Sequence, residues 1–163
     1  MNDHRITHAA RMLDYEFWAT KAAFGSLLTV PVEQAAHPSF IRALRVMAHI
    51  QLARRVWLAR IEGRADRPDD WFPPWTVEKT QDAAAGIDDP WRRYIHRLTT
   101  AELDRSVSYT SSEGVAYASR VEDILTHVFN HSTYHRGQVA RLVTESGGTR
   151  AGTDYIAYTR TSP

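Results

Sequence analysis

His127, His131 and His135 stand four residues apart in the run LTHVFNHSTYHRGQ, inside a stretch patterned as a long helix. Residues at i and i+4 lie on one helix face, so two imidazoles at this spacing can close on one metal ion. Three cannot share it. At 1.5 Å of rise per residue the outer two stand about 12 Å apart along the axis. A helical wheel chooses between them. With His131 at zero, the apolar residues Val121, Ile124, Leu125, Val128, Val139, Leu142 and Val143 centre near roughly +70°, while His135 falls near about +40° and His127 near about −40°. His131 and His135 are therefore expected to face the core or its seam, and His127 the rim. Histidine pairs at helical spacing are more often solvated surface residues, and that plainer reading suits His4 and His8 at a charged chain end. It does not suit a pair interrupting an apolar face, where unpartnered imidazoles carry a desolvation cost that a metal removes.

Two ligands seldom hold an ion, so a third must come from another helix. His49, in VMAHIQLARRVWL, is surrounded by apolar residues and needs a partner. His96 in YIHRL is its rival, followed by Glu122 and Asp123 at the start of the last helix. Spacing alone leaves this choice open, with His49 modestly ahead.

The elements that position these residues follow from breakers and periodicity. A first helix is expected from about Ile6 to Leu28, ended by Pro31, and a second from about Phe40 to Glu62, closed by Gly63. The segment RADRPDDWFPPWT reads as a loop whose Trp71, Phe72 and Trp75 pack down on the molecule. A third helix should start near Thr76 and reach Leu98, with its middle in question at Gly86 and Pro90. Thr99 to Glu102 looks like a short helical start. VSYT and VAYAS flank Ser111 to Gly114 in a hairpin pattern. Ser119 and Glu122 fit a capping box for the last helix, which Gly147 and Gly148 stop. The tail TDYIAYTRTSP is expected to be extended or irregular. These segments predict an all-α four-helix bundle spanning residues 1–163 as one domain, with a short hairpin before the last helix.

Composition narrows the function. The chain has 163 residues and a net charge of +1, which leaves no basic surplus for nucleic acid. No run approaches the ~18–20 apolar residues of a membrane span, and the charged amino terminus lacks the apolar core of a secretory signal. With zero cysteines there is no disulfide framework, no zinc finger and no thiol nucleophile, and the cytoplasm is the expected compartment.

The stretch from Leu125 to Gln138 resembles the signature of the DinB/YfiT-like metalloprotein superfamily. Tyr15-Glu16-Phe17-Trp18-Ala19-Thr20, Met47-Ala48-His49-Ile50 with Trp57-Leu58, and Asp154-Tyr155-Ile156-Ala157-Tyr158 resemble its first-helix pattern, its second-helix pattern and its usual tail. The resemblance implies a four-helix bundle holding a divalent ion, zinc or nickel, through His49, His131 and His135. It also implies a homodimer and, in some relatives, transferase or isomerase chemistry with a small-molecule thiol. Asn130 and Tyr134 are the expected partners for the ligands' second ring nitrogens. In Arg136-Gly137-Gln138 the structural reading is preferred: Gly137 permits close helix approach and Gln138 satisfies buried polar groups. Two functions follow. One is a metal-dependent enzyme using a thiol, with the loop around Trp71 to Trp75 shaping an acceptor pocket. The other is a non-catalytic metal-binding stress-response protein.

Overall fold

The structure, a computed structural model, describes residues 4–160. Helix α1 (His4–Leu27) turns its apolar residues Leu13, Ala19, Ala23 and Phe24 inward. A single 3-10 turn leads to α2 (Pro38–Ile61), where Pro38 occupies the first turn and the His37 ring accepts from the Ser39 N–H. Helix α3 (Val77–His96) starts at Thr76, whose hydroxyl accepts from the Lys79 N–H. Helix α4 (Thr100–Asp104) is capped in the same way by Thr99. Strands β1 (Ser106–Thr110) and β2 (Ala116–Arg120) pair antiparallel, from Ser106 opposite Arg120 to Thr110 opposite Ala116. The hairpin runs directly into α5 (Val121–Glu145), and a short α6 (Tyr155–Thr159) ends the described chain. The expected all-α bundle with a hairpin before its last long helix is what the chain forms.

Helix α5 packs along α2 and α1, and α3 closes against both α1 and α2. The helices α1 and α2 meet at few points, so they stand across the bundle from each other. Two apolar clusters fill the interior. One gathers Leu13, Leu58, Trp91, Leu125 and Phe129, and the other Phe24, Met47, Ile50, Val139 and Val143. On α1, α2 and α5 the residues between these clusters are buried and polar: Glu16 and Thr20, Gln51 and Arg54, Ser132 and Arg136. The site lies at this polar layer. No helix among the described residues is long and apolar enough to cross a membrane.

One open point is settled and two local expectations are corrected. Helix α3 runs continuously through Pro90, because Ile87, Trp91, Tyr94 and Ile95 on both sides of it are buried in the core. Tertiary burial outweighs the lost backbone bond there. The capping box at Ser119 does not form: Ser119 belongs to β2 with its hydroxyl against Tyr109, and Arg120 caps α5 without a side-chain bond. The tail contains α6, since Tyr155 and Tyr158 pack on Tyr15 at ring distances of 5.2 and 5.8 Å. Its final three residues lie outside the described ones.

The stop after α5 constrains one position tightly. A Cβ on Gly148 would meet Val30 Cγ2 at 2.8 Å, Val143 Cγ1 at 2.9 Å and Thr29 Oγ1 at 3.0 Å. Gly148→Ala is expected to destabilise by about 1–3 kcal/mol, the ordinary cost of overpacking, read as a lower urea midpoint.

Candidate metal centre

His49 lies mid-way along α2, and His131 and His135 occupy successive turns of α5 opposite it. One ring nitrogen of each falls within 4.8 Å of those of the other two. The ring centres are 4.4 to 4.9 Å apart, and Nε2 of His49 stands 3.1 Å from Nε2 of His131. No other histidine or acidic residue joins this group among the described residues.

The outer ring nitrogens settle the tautomers of His49 and His135. Nδ1 of His49 lies 3.0 Å from the Trp71 carbonyl oxygen, which can only accept, so the proton sits on Nδ1 and Nε2 presents a lone pair. Nδ1 of His135 donates to Oε1 of Gln138 at 3.0 Å, which leaves its Nε2 lone pair free as well. Ligating histidines are held by such second bonds. The Phe72 ring stacks on His49 at 4.2 Å with planes 12° apart and shields it from water.

Electrostatics keeps the His131 and His49 rings neutral. Burial, then the neighbouring His135, His49 and His127, pushes His131 down to about 3. Burial and then His135 lower His49, partly opposed by its bond to the Trp71 carbonyl. Neutral imidazoles with converging lone pairs are the donor set a divalent ion takes, and protons compete weakly for it.

The structure brings together His49, His131 and His135, and leaves the other candidates outside. His127 is exposed at the rim as expected, its ring 5.1 Å from Trp57 and 5.5 Å from His131. His96 is exposed near the end of α3, while Glu122 and Asp123 pair with Arg120. His4 and His8 line a separate cavity beside Glu122. Asn130 and Tyr134 are not the outer partners of the ligands. Asn130 lines that separate cavity, and Tyr134 is 66% exposed, one residue round the helix from His135. Gln138, which takes the role instead, sits at the i+3 spacing from His135 that could have marked it. The Trp71 carbonyl carries no side-chain signal at all.

Gly137 faces open space, so it serves no close helix approach. Arg136 reaches the other way, into the core. Its Nη1 donates to Oε2 of Glu16 at 2.6 Å, with both side chains at 0% exposure. Nη2 donates to the Thr133 hydroxyl at 3.0 Å, and the Thr20 hydroxyl donates to the second Glu16 oxygen.

Removing one member of such a pair strands a buried charge, so Arg136→Ala is expected to cost about 3–5 kcal/mol in urea unfolding. A second expectation concerns pH. The usual histidine value is 6.5, and folded His131 titrates near 3. Between these values the unfolded chain binds a proton that the folded chain refuses. Stability of chelator-stripped protein is therefore full above the unfolded value and falls as pH drops through that window. His131→Phe should flatten the fall between about pH 7 and pH 4; an unchanged slope contradicts the assignment.

Comparison with known proteins agrees with this architecture. Protein DinB of Bacillus subtilis (strain 168) is 25% identical over 162 residues, covering 92% of this chain and 92% of that one. The crystal structure of a DinB-like protein from Bacillus cereus ATCC 10987 superposes with a TM-score of 0.63 at 18% identity, covering 86% of this chain and 94% of that one, a likeness of fold. A sequence profile of the DinB family matches residues 1–162, and the chain belongs to that family.

Proposed function

We propose that His49, His131 and His135 hold one divalent ion, zinc or nickel, and that the chain is a metal-dependent transferase or isomerase using a small-molecule thiol cosubstrate. The observation that carries this reading is the convergence of three imidazoles from two helices, two of them with the outer N–H already bonded. Three protein ligands leave a coordination position open, at which a divalent ion lowers the pKa of water or a thiol toward neutrality. The chain supplies the surroundings. Gln138 and the Trp71 carbonyl orient the donors, while Phe72 and Trp71 wall off His49. A cytoplasmic homodimer completes the proposal, supported by the family resemblance; light scattering should give twice the 18.6 kDa chain mass.

A second reading has its own support. No carboxylate joins the three histidines among the described residues, so the chain places no general base of its own within that group. In that case the ion ties α2 to α5 in a non-catalytic stress-response protein.

Metal content separates ligands from neighbours. His49→Ala, His131→Ala and His135→Ala should each lower metal affinity by orders of magnitude and reduce thermal stability, since an ion that binds only the folded state stabilises it. His127→Ala should keep near wild-type content. Equal loss in all four variants would count against the ligand set. Cobalt-substituted protein should change its visible spectrum when a thiol is added. If neither thiol nor azide perturbs it, the structural reading replaces the enzymatic one.

A further inference from the structure

A cleft of about 330 Å³ opens between the last turns of α2, the loop that follows and the hairpin. A second hollow of about 290 Å³ adjoins it and shares Arg60, Trp71 and Tyr109. The walls are aromatic. Trp57 meets Tyr109 edge-on at 5.0 Å, and Tyr109 lies 6.2 Å from Tyr117. Trp71 borders the side nearest His49, 6.0 Å from that ring.

Arg60 stands within these walls, its guanidinium carbon 4.6 Å from the Trp57 ring centre and 5.0 Å from that of Tyr109. Its Nη2 donates to the Thr110 carbonyl at 2.9 Å, and among the described residues no carboxylate pairs with it. The acids nearby are committed elsewhere, Asp66 to Arg55 and Glu62 to Arg64. Arg67 on the same rim bonds the Ser112 carbonyl and adds a second cation without a counter-ion among the described residues. A half-buried guanidinium against aromatic faces is weakly hydrated and has fork geometry suited to a carboxylate. The rings that line the hollow favour a flat apolar body.

The walls of the cleft also touch the histidines. Trp71 both borders it and holds His49 through its carbonyl, while Trp57 touches His127, which touches His131. At 1.5 Å per residue, His49 and Arg60 are separated by about 16 Å of α2, and helical side chains lean toward the N-terminus.

We infer that this cleft binds a flat, apolar small-molecule carboxylate, with its acid group on Arg60 and its body in the hollow lined by Trp57, Trp71, Tyr109 and Tyr117. This names the acceptor class for the function proposed above; it rests on that reading for the reaction but not for binding.

Cinnamate, its uncharged analogue cinnamyl alcohol, and inorganic phosphate are titrated into full-length protein, both chelator-stripped and zinc-loaded. The indole N–H signals of the five tryptophans report where each ligand sits. Cinnamate should shift Trp57 and Trp71 but not Trp18, Trp75 or Trp91, with similar affinity in both preparations. The alcohol should bind at least tenfold more weakly. Arg60→Gln should erase that difference and Arg60→Lys should keep part of it. Arg60 also anchors the hairpin, so Trp57→Leu is measured too and should weaken acid and alcohol alike. Equal binding of acid and alcohol by wild type overturns the inference, as does phosphate displacing cinnamate at equal concentration. Binding confined to zinc-loaded protein and indifferent to Arg60→Gln places the carboxylate on the ion, which overturns the cleft while leaving the metal reading intact. Arg60-dependent binding in protein that takes up no metal sustains the cleft and removes the metal reading.

Discussion

The rotation of α5 is set by an ion pair with no exposure to water, and the three-histidine centre depends on that rotation. Arg136 and Glu16 sit at 0% exposure and 2.6 Å. Taking both charges out of water costs several kcal/mol per ion, so the pair is tolerable only where α1 and α5 hold one fixed geometry. Successive residues on a helix point about 100° apart. With Arg136 committed to α1, His135 is turned toward α2, and His131 follows one turn earlier. The pair is part of a polar layer between two apolar clusters, and His49 enters that layer from α2. The apolar clusters supply the non-directional drive for collapse, while the polar layer specifies how the helices face one another.

The same layer explains why the imidazoles are held as donors rather than as cations. Burial, and each ring's proximity to the others, disfavours protonation at His49 and His131. A carbonyl from the loop after α2 and an amide one turn along α5 fix the outer nitrogens of His49 and His135. His49 and His135 keep these outer bonds when an ion binds, and the contact that an ion replaces is the 3.1 Å one between Nε2 of His49 and Nε2 of His131.

Helix α2 links this centre to the cleft beside it. One face carries His49 and, two to three turns later, Trp57 and Arg60, while the loop and hairpin bring Trp71 and Tyr109 against them. The hairpin is short and mostly exposed, yet it supplies Tyr109 and the Thr110 carbonyl that holds Arg60. A bundle of helices alone would leave that side of α2 open.

Local spacing determined a great deal. The helices, the hairpin and its turn, and the inward placement of His131 and His135 with His127 at the rim all follow from periodicity, since neighbours on one helix are fixed by its 3.6-residue repeat. His49 was different. Helix α2 is apolar around most of its circumference, so the wheel could not orient it, and family resemblance rather than geometry singled it out over His96. Tertiary structure decided the rest. Glu16 and Arg136 are 120 residues apart and meet only because of how α1 packs on α5. Pro90 stays helical because the core buries residues on both sides of it, and α6 forms because Tyr15 offers its tyrosines a surface. The bond that fixes His49 comes from a backbone carbonyl, which every residue has and no side-chain pattern reveals.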